Sequence, residues 1–581
     1  MIPMDTILGN ALPQSGDDAV KCKALPDRGK LVMRMKALKT ARRDWEARWK
    51  AIRDFELPYI GEFEDTADHT NPARRRDTKI AQGVAWMAAN VMAAGIMSGL
   101  TPPSRQWFKF SFSDERLNDM TEALQVLDQR QEIVQAVLAK SNFYNAVHKV
   151  YLEIPFGQGP MVVLRDARTA VRFIPLTIGS YFIDVDGAGK VNTIARRYKL
   201  TLSQLVDAFG MDALPQTVRL AAEMGKSSSR KYTVNWLCEP NTDAVPNKLD
   251  RLNMPYKSIY WLDESRQDEY LYIGGFEEFP APTARWTVNA NDCYAKGPGW
   301  FAEADSRALQ VMKRDFLTLL ELMAKPPMQA TTDVMMHGIN LIPGGITPTN
   351  GQGGVGPLFN TQFGNLQYLT EEIQKTEDRI KRHFNSDLFL MFDNIEAGRL
   401  TAREVTVRQQ ERLQVIGPVV EQLQDEFLTP IIERVYRILD EAGKFPPVPE
   451  MLQDLINEDV KVEYISPLAQ AQKMSGLVNI EQAVGFTLQM AQAWPDALKV
   501  VDPTKTIAKY MNLLGAPADM RRSPDEVKKM IEEEQAAMQK QQEEAQAMAA
   551  AQVVPGITQA AKNATDAAND GNPALKEWLG M

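Results

Sequence analysis

The chain has 581 residues and a net charge of −9. That length exceeds what one hydrophobic core supports, so several packed modules are expected. The acidic balance excludes a protein that grips nucleic acid over its whole surface. Cys22, Cys238 and Cys293 are widely spaced and odd in number. They exclude a disulfide framework and a paired-cysteine metal knuckle, and they fit a reducing compartment.

Residues 1–30 show no periodicity and read as an N-terminal arm without the basic and apolar regions of a signal peptide. A helical pattern runs from Leu31 to about Leu57, where Pro58 ends it. Its arginines and lysines, among them Arg34, Arg42, Arg43, Arg48 and Arg53, read either as a solvated helix face or as a surface for phosphate or a partner. Residues 81–100 carry no charge and are long enough to cross a bilayer. Gln82, Asn90, Ser98 and the close-approach pair Gly95 and Gly99 favour a tightly packed buried helix instead. A further helix is expected at about 115–140.

From Met161 the runs become short and β-branched, broken by Gly and by the Asp186-Gly187 turn signal. An antiparallel sheet region is therefore expected between about 160 and 290, set into a mainly helical α+β protein. Helical periodicity returns at Glu303 in Leu309, Met312, Phe316, Leu319, Leu320 and Met323, and Pro326-Pro327 stops it. A Gly- and Pro-rich segment, 325–368, precedes another helix ending near Leu390. Two helices bracketing a compact segment read as a stem with a tip.

Residues 391–400 form a short polar loop, and Thr401 with Glu404 makes a capping box that starts the next helix. Gly417-Pro418 should kink that helix. Near the C-terminus, 523–552 is rich in Glu, Gln, Ala, Met and Lys with only a thin apolar seam. Such a helix is marginal alone and better in a ring or bundle of copies. Residues 553–581 read as a mobile tail.

No catalytic set is legible. Gly351-Gln352-Gly353-Gly354-Val355-Gly356 matches a dinucleotide-loop spacing, but no strand precedes it and Pro357 follows. The four histidines lack metal-ligand spacing. No enzyme activity, cofactor or metal is expected.

Several segments resemble the portal, or head-to-tail connector, proteins of short-tailed bacteriophages. They are Met92 to Phe108, Ser141-Asn142-Phe143-Tyr144 with Phe156-Gly157, Arg285-Trp286, Tyr294 to Gly299, and Leu400 to Val405. Ala295 and Lys296 depart from the family's usual Gly and Arg, and Gln158-Gly159 from a Thr-containing turn. The resemblance implies a homo-oligomeric ring, commonly a dodecamer, at one capsid vertex of the virion, assembled in the host cytoplasm. Terminase large subunit, major capsid and scaffold proteins, a tail adaptor and passing double-stranded DNA would be its partners, with no membrane.

The implied map is a wing at 31–302 and 401–455, stem helices at 303–324 and 369–390, and a clip at 325–368. A tunnel loop at 391–400, a crown at 456–522 and a barrel helix at 523–552 complete it. Phe392, Asn394, Ile395, Glu396 and Arg399 would ring the DNA channel, with Lys381 and Arg382 facing it from the stem. Asn350, Gln352, Gly353 and Gly354 of the clip would meet terminase and adaptor. The alternative reading is a coiled-coil scaffold protein, without a DNA channel, that assembles through 523–552.

Overall fold

A computed structural model describes residues 26–63, 77–112, 121–223, 230–244, 251–266, 269–289, 292–325, 363–390, 416–447, 460–465 and 480–491, with scattered residues elsewhere. The chain divides into two compact units. The larger comprises Met1–Phe110, Gln129–Val448 and Lys461–Gly515, and the smaller Ser111–Asp128, Pro449–Val460 and Ala516–Met581. The description below concerns the larger; in the smaller, residues 121–128 and 536–541 are helical.

Helix α1 spans Arg28–Phe55 and starts at Asp27, whose side chain accepts the Gly29 N–H. Helix α2 spans Val84–Leu100. Strand β1 (Phe108–Phe112) and helix α3 (Thr121–Lys140) follow, then α4 (Phe143–Glu153) and a 3-10 turn at Ile154–Phe156. No described helix is long and apolar enough to cross a membrane. Helix α2 instead buries Ala85, Ala88, Ala89, Met92, Ala93 and Ile96 within the protein.

The sheet region is antiparallel throughout. Strand β2 (Gln158–Asp166) pairs with β3 (Ala170–Pro175). Strands β4 (Tyr181–Val185), β5 (Val191–Thr201), β6 (Lys231–Pro240), β7 (Tyr256–Leu262) and β8 (Tyr272–Phe276) form a five-stranded sheet in sequence order. Strand β9 (Thr283–Arg285) joins the free edge of β2. The β4–β5 turn is held by Asp186, whose carboxylate accepts the N–H groups of Ala188 and Lys190, both at 2.9 Å.

Helix α1 lies on the five-stranded sheet. Leu31 and Leu38 pack with Phe182, Ala195, Leu237, Ile259 and Trp261. The basic run now has a structural explanation, because several of its arginines are anchors. Arg42 is fully buried, donates to the carbonyls of Gly179 (2.8 Å) and Tyr181 (2.7 Å), and lies 4.0 Å over the Phe182 ring. Arg34 bridges to Asp184 at 2.8 Å and Glu239 at 3.1 Å. Arg28 donates to the carbonyl of Leu262 at 2.5 Å.

Helix α5 spans Pro298–Ala324. It begins five residues ahead of the sequence expectation, because Pro298 sits where a missing N–H costs nothing. Strands β10 (Met328–Gln329) and β11 (Gly356–Pro357) pair antiparallel. Helix α6 (Phe363–His383) returns, and a break at Asn385 (φ 52°) separates it from α7 (Ser386–Leu390). A helical run from Ile416 reaches a wide π turn at Gln424–Leu428, and α8 (Thr429–Glu441) follows.

Among the described residues the irregularity lies at 424–428; Gly417-Pro418 sit in the first turn of the described run, and the residues before Ile416 that a kink there would join lie outside the described residues. Pro430 has no N–H for the carbonyl four residues back, and the wider turn absorbs the mismatch.

Candidate functional site

The informative geometry is the root of the α5/α6 hairpin. The 3-10 turn Ile154–Phe156 and the segment 294–300 meet there backbone to backbone. Gly157 adopts φ 120°, and a Cβ at that position would stand 2.0 Å from the Ala295 carbonyl oxygen. A Cβ on Gly297 would stand 2.1 Å from the Ile154 carbonyl oxygen. Only hydrogen fits at both positions.

The Phe156 carbonyl accepts two indole N–H groups, from Trp49 at 3.1 Å and Trp300 at 2.9 Å. Gln158 accepts the Ala295 N–H at 2.9 Å. Trp45, Trp49, Tyr294 and Trp300 form a contiguous ring cluster, with neighbouring centroids between 5.2 and 6.5 Å. Segments far apart in sequence, and carrying the family resemblance, converge on one joint that fixes where α5 leaves the body.

Helices α5 and α6 pack against each other. Asp305 of α5 faces Arg379 and His383 of α6, each at 3.3 Å. Gln310 accepts the N–H groups of Ala81 (2.6 Å) and Gln82 (2.9 Å), tying the hairpin to the start of α2. At the far end, Met328 pairs with Pro357 and Gln329 with Gly356. On α6, Lys381 is half-buried and pairs with Asp378 at 3.3 Å. Arg382 is exposed and has no side-chain partner among the described residues.

Two buried carboxyl groups lie beside the joint. Burial raises Glu153 to about 8; the Ile178 N–H, 3.1 Å away, opposes this and Glu62 adds to it. Burial also holds Glu56 well above the carboxylate range, with Ser306 opposing and Glu303 adding. Cys293 is partly buried and donates to the Ile183 carbonyl at 3.1 Å, and burial pushes its thiol up to about 12. Cys238 is fully buried. These groups are poised for packing, not for nucleophilic chemistry. Among the described residues no group of three His, Cys, Asp or Glu is placed to hold a metal ion.

Phe392, Asn394, Ile395, Glu396 and Arg399 lie outside the described residues, as do Asn350, Gln352, Gly353 and Gly354 and the capping pair Thr401 and Glu404. Sequence reading missed Glu56 and Glu153 beside the joint, and the pairing of Arg285 with Glu426, whose carboxylate accepts the Arg285 Nε–H at 2.6 Å. The Arg285-Trp286 pair carried a family resemblance, but nothing in its spacing announced a partner 141 positions away.

A family profile described as "Bacteriophage head to tail connecting protein" matches residues 28–521. The chain is 34% identical over 531 residues to "Portal protein" of Salmonella phage epsilon15, covering 90% of this chain and 94% of that one. It is 32% identical over 498 residues to "Probable portal protein" of Bordetella phage BPP-1, covering 85% and 88%. A solved chain from "Virion of native gene transfer agent (GTA) particle" aligns at 9% identity with a TM-score of 0.31, covering 69% of this chain and 86% of that one. That likeness is too distant to carry an argument.

Proposed function

The chain belongs to the bacteriophage head-to-tail connecting protein family, and from that premise we propose how its parts serve a portal. The protein is a portal subunit, a structural connector rather than an enzyme. Its copies assemble as a ring at the capsid vertex, with terminase, capsid and tail components as partners.

In our reading the ring has twelve copies, and the α5/α6 hairpin is its stem. The observation that supports the stem is the joint at Ile154–Phe156 and Gly297, which holds the start of α5 by backbone contact. A rigid root suits a helical pair that must keep its direction while DNA passes. Residues 325–368, which include β10 and β11, are the clip, and Asn350, Gln352, Gly353 and Gly354 meet terminase and adaptor. Residues 391–400 are the tunnel loop, where Phe392, Asn394, Ile395, Glu396 and Arg399 are repeated around the channel by symmetry. Lys381 and Arg382 are the stem cations nearest DNA.

A conduit must not hold its cargo firmly. Each neutralised phosphate contributes a salt slope of about −0.9, so a channel lined with many cations would resist movement. Isolated cations on an acidic subunit fit passage better.

Electron microscopy of the purified protein, alone and with capsid and scaffold proteins, tests the ring. End-on views with a central hole and twelve-fold symmetry are expected; monomers or rods under both conditions would refute it. Deleting 392–398 should leave rings intact and impair packaging or DNA retention. Normal genome content in such particles would remove the tunnel-loop assignment. Deleting 523–581 should leave the ring standing, whereas a coiled-coil scaffold would fall apart.

A further inference from the structure

Helices α2 and α5 each leave one apolar stripe open. On α5, Phe301 (54% exposed) and Val311 (56%) flank the exposed Ala304 and Ala308. Steps of three and four residues put all four on one face. On α2, Met87 (67% exposed), Ala94 and Ser98 share one face, with the half-buried Val91 among them. The other sides of both helices are filled, by Ala302, Ser306 and Leu309 on α5 and by the alanine-rich face of α2. Helix α6 packs against both α2 and α5. Each open stripe therefore faces away from α6, and the two are separate surfaces of one chain.

Their relative levels are fixed by hydrogen bonds. Gln310 holds the backbone of Ala81 and Gln82 just ahead of α2, and Gln82 donates to Glu377 of α6 at 2.7 Å. Helix α2 also packs on α7, beyond the root end of α6. It therefore runs from the level of Gln310 toward the root, opposite in direction to α5. At ~1.5 Å per residue, Met87 stands level with Ala304 and Ala308, and Ala94 with the first turn of α5 near Phe301.

We propose that in the assembled ring the α2 stripe of one copy packs on the α5 stripe of the next. This rests on the portal reading, with the ring axis running along the hairpin. Rotation about such an axis moves a neighbour sideways without changing its level, so the levels within one chain are also those between neighbours. Met87 then seats over Ala304 and Ala308, and Phe301 covers the small residues Ala94 and Ser98. Large side chains meet small ones in both directions, as close packing requires. Arg307, exposed beside the α5 stripe, is already ion-paired with Glu303 of its own helix, so no unpaired charge is stranded in the contact. The two surfaces differ, so the contact is head-to-tail and closes a ring instead of stopping at a dimer.

The test places Met87→Cys and Ala304→Cys in one chain, in a Cys22→Ser, Cys293→Ser background, and treats assembled protein with a short bis-maleimide. A ladder of covalent oligomers is expected from the double variant and none from either single variant. A second variant, Ala308→Asp, should lower the ring fraction at least about ten-fold by burying an unpaired charge, with the subunit's thermal unfolding unchanged. Rings of the unsubstituted protein without a ladder in the double variant overturn the pairing while the portal reading stands. So do dimers from a single-cysteine variant, or intact rings of Ala308→Asp. Unsubstituted protein that stays monomeric with capsid and scaffold proteins present overturns the portal reading, and the pairing with it.

Discussion

Arg285 and Glu426 clasp each other through two parallel hydrogen bonds, Nε and Nη2 each donating to a separate carboxylate oxygen at 2.6 Å. The arginine side chain is 1% exposed and the glutamate side chain 22%. The same guanidinium donates to the Gly189 carbonyl at 2.7 Å. One side chain thus joins strand β9, the β4–β5 turn and the π turn of the helical run that follows residues 391–415. A paired fork of this kind fixes direction as well as distance. It ties the sheet to the helix that the tunnel-loop assignment leads into.

Glu426→Ala leaves a buried guanidinium without its counter-charge, which typically costs 3–5 kcal/mol. Water reaches the partly exposed glutamate side, so a loss near the lower end, about 3 kcal/mol, is expected. Arg285→Lys keeps the charge but loses the fork, and should also lose stability. Chemical unfolding of the purified subunit measures both. A change below about 1 kcal/mol for Glu426→Ala would mean that the pair behaves as an exposed one.

The Glu153 carboxyl, raised by burial from 4.5 to about 8, makes stability depend on pH. Between those values the folded chain holds a proton that the unfolded chain has released. Stability therefore falls as pH rises from about 4.5 to about 8 and levels off above, with a slope of at most about 1.4 kcal/mol per pH unit from this group. Glu153→Gln keeps an oxygen for the Ile178 N–H and removes the titration. Its unfolding temperature should fall less than that of the unsubstituted protein between pH 5 and pH 8, as read by calorimetry on the scale of these carboxyl shifts. Parallel curves would place the titration elsewhere, with Glu56 the next group to replace.

Gly157→Ala forces a Cβ to within 2.0 Å of the Ala295 carbonyl oxygen at φ 120°. Both the clash and the left-handed backbone oppose it, and a loss of at least about 3 kcal/mol is expected. Gly187→Ala is the control, because nothing lies within 4 Å of its added Cβ. Comparing soluble yield and unfolding temperature decides the matter: equal behaviour of the two variants would show that the 157–295 contact yields easily.

Removing the proposed stem cations with Lys381→Ala and Arg382→Ala should leave assembly unchanged, since Arg382 is exposed and, among the described residues, Lys381 pairs with its own-helix neighbour Asp378. If these side chains meet phosphate, the slope of log K against log salt for non-specific DNA binding by rings becomes shallower by about 0.9 for each phosphate no longer neutralised. An unchanged slope assigns them to the outer side of the stem.

Sequence alone determined whatever depends on local rules. The helices over 28–55 and 84–100, the antiparallel runs after 158 and the hairpin turn at Asp186 follow from periodicity, proline placement and turn chemistry. Family membership was legible in short motifs, and two of them hold a position where the backbone tolerates few residues, Gly157 and Gly297.

Only the tertiary structure decided which distant residues meet. Nothing local pairs Arg285 with Glu426, turns the basic face of α1 into anchors for a sheet, or makes Glu153 a proton holder. Nor does it announce the π turn at Gln424–Leu428 ahead of Pro430. Periodicity reports which face of an element is apolar, whereas burial and charge pairing depend on which elements that face meets, and those pairings span more than a hundred residues of chain.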